Sequence, residues 1–134
     1  MRRIKPEERI LVSMPEYQGP GIYMLRNITN GKVYIGSAKN VSRRAKEHDQ
    51  SFRHGTCNNK IQADIDKGHK FICEVLEKCD NMMFVEMRAR ENYYAEKYNS
   101  FSDGYNTAVV PTYDLNFFIQ TGNRYMICWL TRKV

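Results

Sequence analysis

Gly21-Ile22-Tyr23-Met24-Leu25-Arg26-Asn27-Ile28-Thr29-Asn30-Gly31-Lys32-Val33-Tyr34-Ile35-Gly36 places two extended apolar runs on either side of an Asn-Gly pair. That is a hairpin signal, because Asn and Gly both tolerate the positive φ that a type I′ turn demands. With Asn30 and Gly31 as the central turn residues, Thr29 faces Lys32. Stepping outward then pairs Asn27 with Tyr34, Leu25 with Gly36 and Tyr23 with Ala38. Side chains alternate along a strand, so Tyr23 and Tyr34 share one face. The other face carries Ile22, Met24, Ile28, Val33 and Ile35, interrupted only by Arg26 and Ser37. The expected hairpin therefore has one core face and one face that presents two phenols.

Downstream, Ser37-Ala38-Lys39-Asn40 forms a short connection, and Asn40 or Ser42 can cap a helix running through roughly His48 to Phe52, ended by Gly55. At about 100° per residue, Val41, Ala45 and Phe52 fall within about 40° of one another and form a buried stripe. Arg44 and His48, at i and i+4, border that stripe and are expected to be half-buried. A second, short helix starts near Asn58-Asn59, with Ile61 and Ile65 on one face and Gly68 at its C-terminal cap. Phe71 to Glu77 reads as a third strand, with Phe71, Cys73 and Val75 on one side, pairing with the hairpin.

A third helix is expected from about Asn81 or Met82 to Tyr98. Measured from Phe84, the apolar residues Met87, Tyr94, Ala95 and Tyr98 lie within about 80°, and Glu91 falls at about −20°. A carboxylate thus sits in the middle of the face that packs. An isolated buried charge costs several kcal/mol, so Glu91 needs an arginine, a hydrogen-bond cluster or a metal ion. Ser102-Asp103-Gly104-Tyr105-Asn106 then reads as a turn. Beyond Pro111, Asn116 to Ile119 and Arg124 to Leu130 can form a second hairpin, in which Trp129 is a packing residue.

The chain has 134 residues, of which 42% are hydrophobic and 12% aromatic, enough for one domain with a sizeable core. Lysine and arginine number 21 against 15 acidic residues, a net charge of +6 that favours a polyanionic partner. No membrane span or signal-peptide core is readable: Pro6, Glu7, Glu8 and Arg9 break the first apolar run. Cys57, Cys73, Cys79 and Cys128 lack any C-x-x-C spacing and any histidine pairing suited to zinc. They are read as ordinary packing or surface residues of a reducing, cytoplasmic protein.

Taken together, the motifs resemble one family, the GIY-YIG endonucleases. Gly21-Ile22-Tyr23 is similar to its first motif and Tyr34-Ile35-Gly36 to its second, with ten residues between the tyrosines. The similarity continues through Gly36-Ser37-Ala38-Lys39, Arg44 and His48, Glu91 within Arg90-Glu91-Asn92-Tyr93-Tyr94, and Gly104-Tyr105-Asn106. It covers about residues 19 to 108, leaving 1–18 and 109–134 as extensions. Within the family, the chain looks most like the nuclease domains of phage homing endonucleases.

The resemblance implies an α+β fold with a three-stranded antiparallel sheet flanked by about three helices. It also implies hydrolysis of a DNA phosphodiester that depends on a divalent metal, Mg²⁺ or Mn²⁺. Such hydrolysis needs an activated water, charge stabilisation on the phosphorane and help for the leaving 3′ oxygen. On this reading Glu91 holds the metal and Arg44 clamps the phosphate. Lys39 adds a phosphate contact, and Tyr34 activates water. A phenol with a pKa of about 10 needs nearby positive charge for that task, and His48 can accept or relay the proton. Tyr23 orients the phosphate or Tyr34, and Asn106 holds the site together. The expected partner is DNA, with a homodimer or an accessory DNA-targeting protein replacing the separate recognition domain for which the short run after Asn106 leaves no room. The expected location is the cytoplasm, the host's if the chain is phage-encoded. The competing expectations are a repair or structure-selective nicking module and a nucleic-acid-binding module that does not cut.

Overall fold

In the computed structural model, which describes residues 11–106, the chain runs β1 (Leu11–Ser13), β2 (Gly21–Asn27), β3 (Val33–Ala38), α1 (Val41–His54), α2 (Asn59–Asp66), β4 (Phe71–Lys78) and α3 (Phe84–Lys97). The strands form one sheet in the order β1-β4-β2-β3. β2 pairs antiparallel with both β3 and β4, which gives the three-stranded antiparallel unit implied by the sequence. A fourth strand joins it: β1 pairs parallel with β4, and the buried Asp49 carboxylate accepts the Leu11 backbone N–H at 2.8 Å. The proposed 116–130 hairpin, with Trp129, lies outside the described residues, as do Cys128 and the first ten residues.

The hairpin register differs from the one expected. Leu25 faces Tyr34, Tyr23 faces Gly36 and Gly21 faces Ala38, a slip of two positions. Asn27 causes it. Its side-chain oxygen accepts the Thr29 and Asn30 backbone N–H groups at 2.8 and 3.3 Å, and its carbonyl accepts Gly31 N–H at 2.7 Å. An Asx turn therefore replaces the two-residue turn with a wider loop. Because the slip is even, Tyr23 and Tyr34 still share a face.

The expectation of one core face is also corrected, since helices cover the sheet on both sides. On one side Tyr23 and Leu25 pack with Val41, Ala45 and Phe52 of α1, Ile61 and Ile65 of α2, and Phe71 and Cys73 of β4. On the other, Ile22, Met24, Val33 and Ile35 pack against Met87 and Ala95 of α3. Ile28, expected on that second face, belongs to the loop and is exposed. Burial on both faces explains why β2 reads as an almost unbroken apolar run.

Local chemistry sets the helix ends. Asn40 caps α1 by accepting Arg43 N–H, and Gly55 closes it in the left-handed region at φ 71°. Asn58 caps α2 in the same way through Ile61 N–H. α3 begins at Phe84 rather than at Asn81 or Met82, because Asn81 takes φ 63° and Met82 N–H closes a turn onto Cys79. At the far end, Tyr98 is exposed instead of joining the packed stripe.

Candidate active site

β3 is an edge strand with a helix on either side, so its alternating residues serve two different environments. Tyr34 and Gly36 point toward α1, Ile35 and Ser37 toward α3. On the α1 side, Tyr23 is 1% exposed, and its hydroxyl lies 2.8 Å from His48 Nε2. The Tyr34 ring stands edge-on to His48 at 5.9 Å between centroids and lies 6.3 Å from the Tyr23 ring. Position 36 must be glycine for this packing, since a Cβ there would lie 2.5 Å from the Tyr23 hydroxyl oxygen. The second sequence motif thus makes room for the tyrosine of the first.

Arg44, half exposed and loosely paired with Glu47 at 3.7 Å, brings its guanidinium to both phenols and hydrogen-bonds Tyr23. Tyr34, Arg44 and His48 line one end of a cavity of about 220 Å³, which Ser51, Thr56, Cys57, Asn58 and Ile61 complete. Burial pushes the Tyr23 phenol well above its ordinary pKa, and the neighbouring Tyr34 adds to that while Arg44 opposes it. Tyr34 is raised by burial and then by the negative charge of Glu91, against the pull of Arg44. His48 goes the other way: burial, reinforced by Arg44, lowers it to about 3. At neutral pH the cluster therefore holds two protonated phenols, a neutral imidazole and one guanidinium.

Glu91 lies on the α3 side. It is 3% exposed, and Arg88 one turn earlier donates to its Oε1 at 2.9 Å and to Ser37 Oγ at 3.2 Å. Ser37 also donates to the carboxylate through both its hydroxyl and its backbone N–H, which ties the acid to β3. Burial nonetheless raises the Glu91 pKa despite Arg88, so the pairing does not fully offset the cost of burying the charge. Its charge reaches Tyr34 around the sheet edge, which makes the carboxylate part of the same electrostatic unit as the phenols.

Asn106 completes the edge. Its side chain accepts Ile35 N–H at 2.8 Å and donates to Ile35 C=O at 2.9 Å, pairing with β3 as a neighbouring strand would. Tyr105 N–H donates to Val33 C=O at 2.9 Å, and a Cβ at Gly104 would collide with that carbonyl oxygen. Lys39 reaches the start of α3, with its ammonium 4.7 Å above the Phe84 ring.

Tyr23, Tyr34, Arg44 and His48 thus form one cluster, Glu91 flanks it across the strand, and Asn106 buttresses the strand itself. Lys39 stands apart on the rim. Arg88 is the residue that sequence reasoning missed. Its spacing of i, i+3 to the buried Glu91 was the available signal, since an embedded acid is most simply matched from the same helix face.

Comparison with known proteins agrees with this layout. Residues 19–106 match the family model for the GIY-YIG catalytic domain. The chain is 37% identical over 92 residues to intron-associated endonuclease 1 of Enterobacteria phage T4, covering 66% of this chain and 36% of that protein. It therefore spans about a third of that relative's length. Its fold matches the catalytic domain of homing endonuclease I-TevI with a TM-score of 0.59 at 35% identity, over 66% of this chain and 98% of the other. A mutant of the same catalytic domain gives 0.62 at 35% identity, over 67% and 94%. On the sequence motifs, the shared fold and these matches, the chain belongs to the GIY-YIG endonuclease family.

Proposed function

We propose that this chain is a DNA endonuclease domain that hydrolyses a phosphodiester bond with the help of one divalent metal ion, Mg²⁺ or Mn²⁺. The observation that carries the reading is the packed cluster of Tyr34, Tyr23 and His48, with Tyr23 hydrogen-bonded to His48, set beside Arg44 at a cavity mouth. It supports a reading in which Tyr34 activates water and Arg44 binds a phosphate at the same cavity mouth. Arg44 suits a bidentate grip on a phosphate, and its partial exposure lets it reach one. Tyr34 rests protonated, so its hydroxyl orients the attacking water; only after that hydroxyl has given its proton to solvent, which nearby positive charge favours, can the phenolate take the proton of the water. His48, too weakly basic to store that proton, fixes Tyr23, and Tyr23 in turn aligns Tyr34.

Glu91 fits a hard cation. It is a buried carboxylate whose burial Arg88 only partly offsets. Among the described residues no group of three or more His, Cys, Asp or Glu could hold a metal ion. One carboxylate, with water and phosphate oxygens filling the remaining positions, is an ordinary arrangement for Mg²⁺. When bound, such an ion stabilises charge on the phosphate and on the leaving oxygen. Lys39, at the rim, contributes a phosphate contact along the strand, and Asn106 holds the Ile35 segment in line.

A second reading, a nucleic-acid-binding module that does not cut, draws support from the closed Glu91–Arg88 pair. One experiment separates the two. Supercoiled plasmid incubated with the protein in Mg²⁺ is expected to be nicked, and EDTA is expected to stop the reaction. Salt-sensitive binding without nicking in either Mg²⁺ or Mn²⁺ would establish the second reading instead. We place the activity in a reducing cytoplasm, in keeping with the free thiols of Cys73 and Cys79. No helix among the described residues is long and apolar enough to cross a membrane.

A further inference from the structure

Arg88 is a buried cation that the chemistry above does not use. Its side chain is 12% exposed and that of Glu91 4%, and arginine is seldom so enclosed without a partner. One nitrogen, Nη1, serves both Glu91 Oε1 and Ser37 Oγ, so a single guanidinium edge closes the acid against β3. With only 4% of the Glu91 side chain exposed and Arg88 against its Oε1, little of the carboxylate is open beside that guanidinium. A divalent ion held by the Glu91 carboxylate would therefore meet Arg88.

We infer that Arg88 is a resident counter-cation that a divalent ion must displace from Glu91, so that Arg88 sets how tightly the site holds metal. The inference rests on the metal reading of Glu91. A divalent ion and a guanidinium sharing one carboxylate would gather three positive charges around one negative charge in a poorly screened site. The arginine has a way out, because its side chain is not fully enclosed and its flexible stem can carry the head group to solvent. Without metal, Arg88 keeps the buried acid compensated and the α3 face packed. With metal it yields, and the work of moving it weakens the apparent affinity. A ligand that must first displace an internal competitor binds less tightly than the bare site allows.

The test is Mn²⁺ binding to the full chain without DNA, read from the electron paramagnetic resonance signal of free Mn²⁺ and from metal-dependent thermal melts. Arg88→Met is expected to bind Mn²⁺ about tenfold tighter than the wild type, a coupling of ordinary size for two ligands competing at one place. It is also expected to melt lower than the wild type without metal and to recover most of that loss in Mn²⁺. Glu91→Gln is expected to lose the site. If Arg88→Met does not fold without metal, Arg88→Lys serves, since its shorter reach cannot bridge Ser37 and Glu91 and several-fold tighter binding is expected. Binding that depends on Glu91 but is unchanged or weaker in both Arg88 variants overturns the inference and leaves the metal reading standing. Binding that Glu91→Gln does not alter overturns both.

Discussion

The two sides of β3 keep polar groups buried by different means. On the α1 side, Tyr23, Tyr34 and His48 are neutral and pack together, Tyr23 hydrogen-bonded to His48, with Arg44 at the edge of solvent. On the α3 side, Glu91 is charged, enclosed and held by an opposite charge. The first arrangement costs little to bury and can be loosened one hydrogen bond at a time. The second is stiff, because removing either partner strands a charge. One strand thus carries a neutral hydrogen-bonded cluster on one side and a charge-paired carboxylate on the other.

The largest effect is expected where the charge is lost. Glu91→Ala is expected to lower plasmid nicking in Mg²⁺ by a factor on the order of 10³ or more if, as proposed, the carboxylate positions the ion. It also leaves Arg88 without its acid. A fully enclosed pair broken in this way costs about 3–5 kcal/mol, and the exit available to Arg88 places the loss at or below the lower end, measurable by urea unfolding. Wild-type nicking by this variant would remove the acid from the chemistry altogether.

The neutral side is expected to respond with less cost to the fold. Tyr34→Phe keeps the ring and deletes the hydroxyl, so nicking is expected to fall by about 10²–10⁴ while stability changes by about 1 kcal/mol or less. Equal losses of stability in Tyr34→Phe and Glu91→Ala would erase the distinction between the two sides. Asn106→Ala acts on the strand between them. It removes both hydrogen bonds to Ile35 and is expected to cost about 1–3 kcal/mol, seen as a lowered melting temperature, with a smaller loss of nicking than Tyr34→Phe.

The difference between the sides also governs how much was readable beforehand. Hydrophobic alternation put Tyr23 and Tyr34 on one face, and even a two-residue register slip could not undo that. The slip itself was hidden because Asn27 looks like a strand residue until its side chain is seen to cap the loop. Helical periodicity found Glu91 inside, but not whether arginine or metal met it, since periodicity gives direction and not partner. The face carrying Tyr23 read as open because the sequence does not say that α1 lies over it. The short β1 was invisible for a related reason: three residues give too little alternation, and what fixes them is Asp49, far away in sequence.

The smallest expected effect concerns pH and tests whether the α1 side is as proton-neutral as described. His48 has a folded pKa of about 3, because burial and then Arg44 disfavour its charged form, whereas an exposed histidine titrates at about 6.5. Between those values the unfolded chain binds a proton that the folded chain refuses, so stability rises with pH across that window. The contribution of His48 is therefore complete above about 6.5 and is lost progressively as the pH falls toward 3. Urea unfolding from pH 7 down to pH 4 is expected to show this slope in the wild type and a shallower one in His48→Gln. The nicking rate of the wild type should carry no inflection near pH 6.5 from this residue. An inflection there that vanishes in His48→Gln would mean that the imidazole takes up a proton during turnover, and that the neutral side stores charge after all.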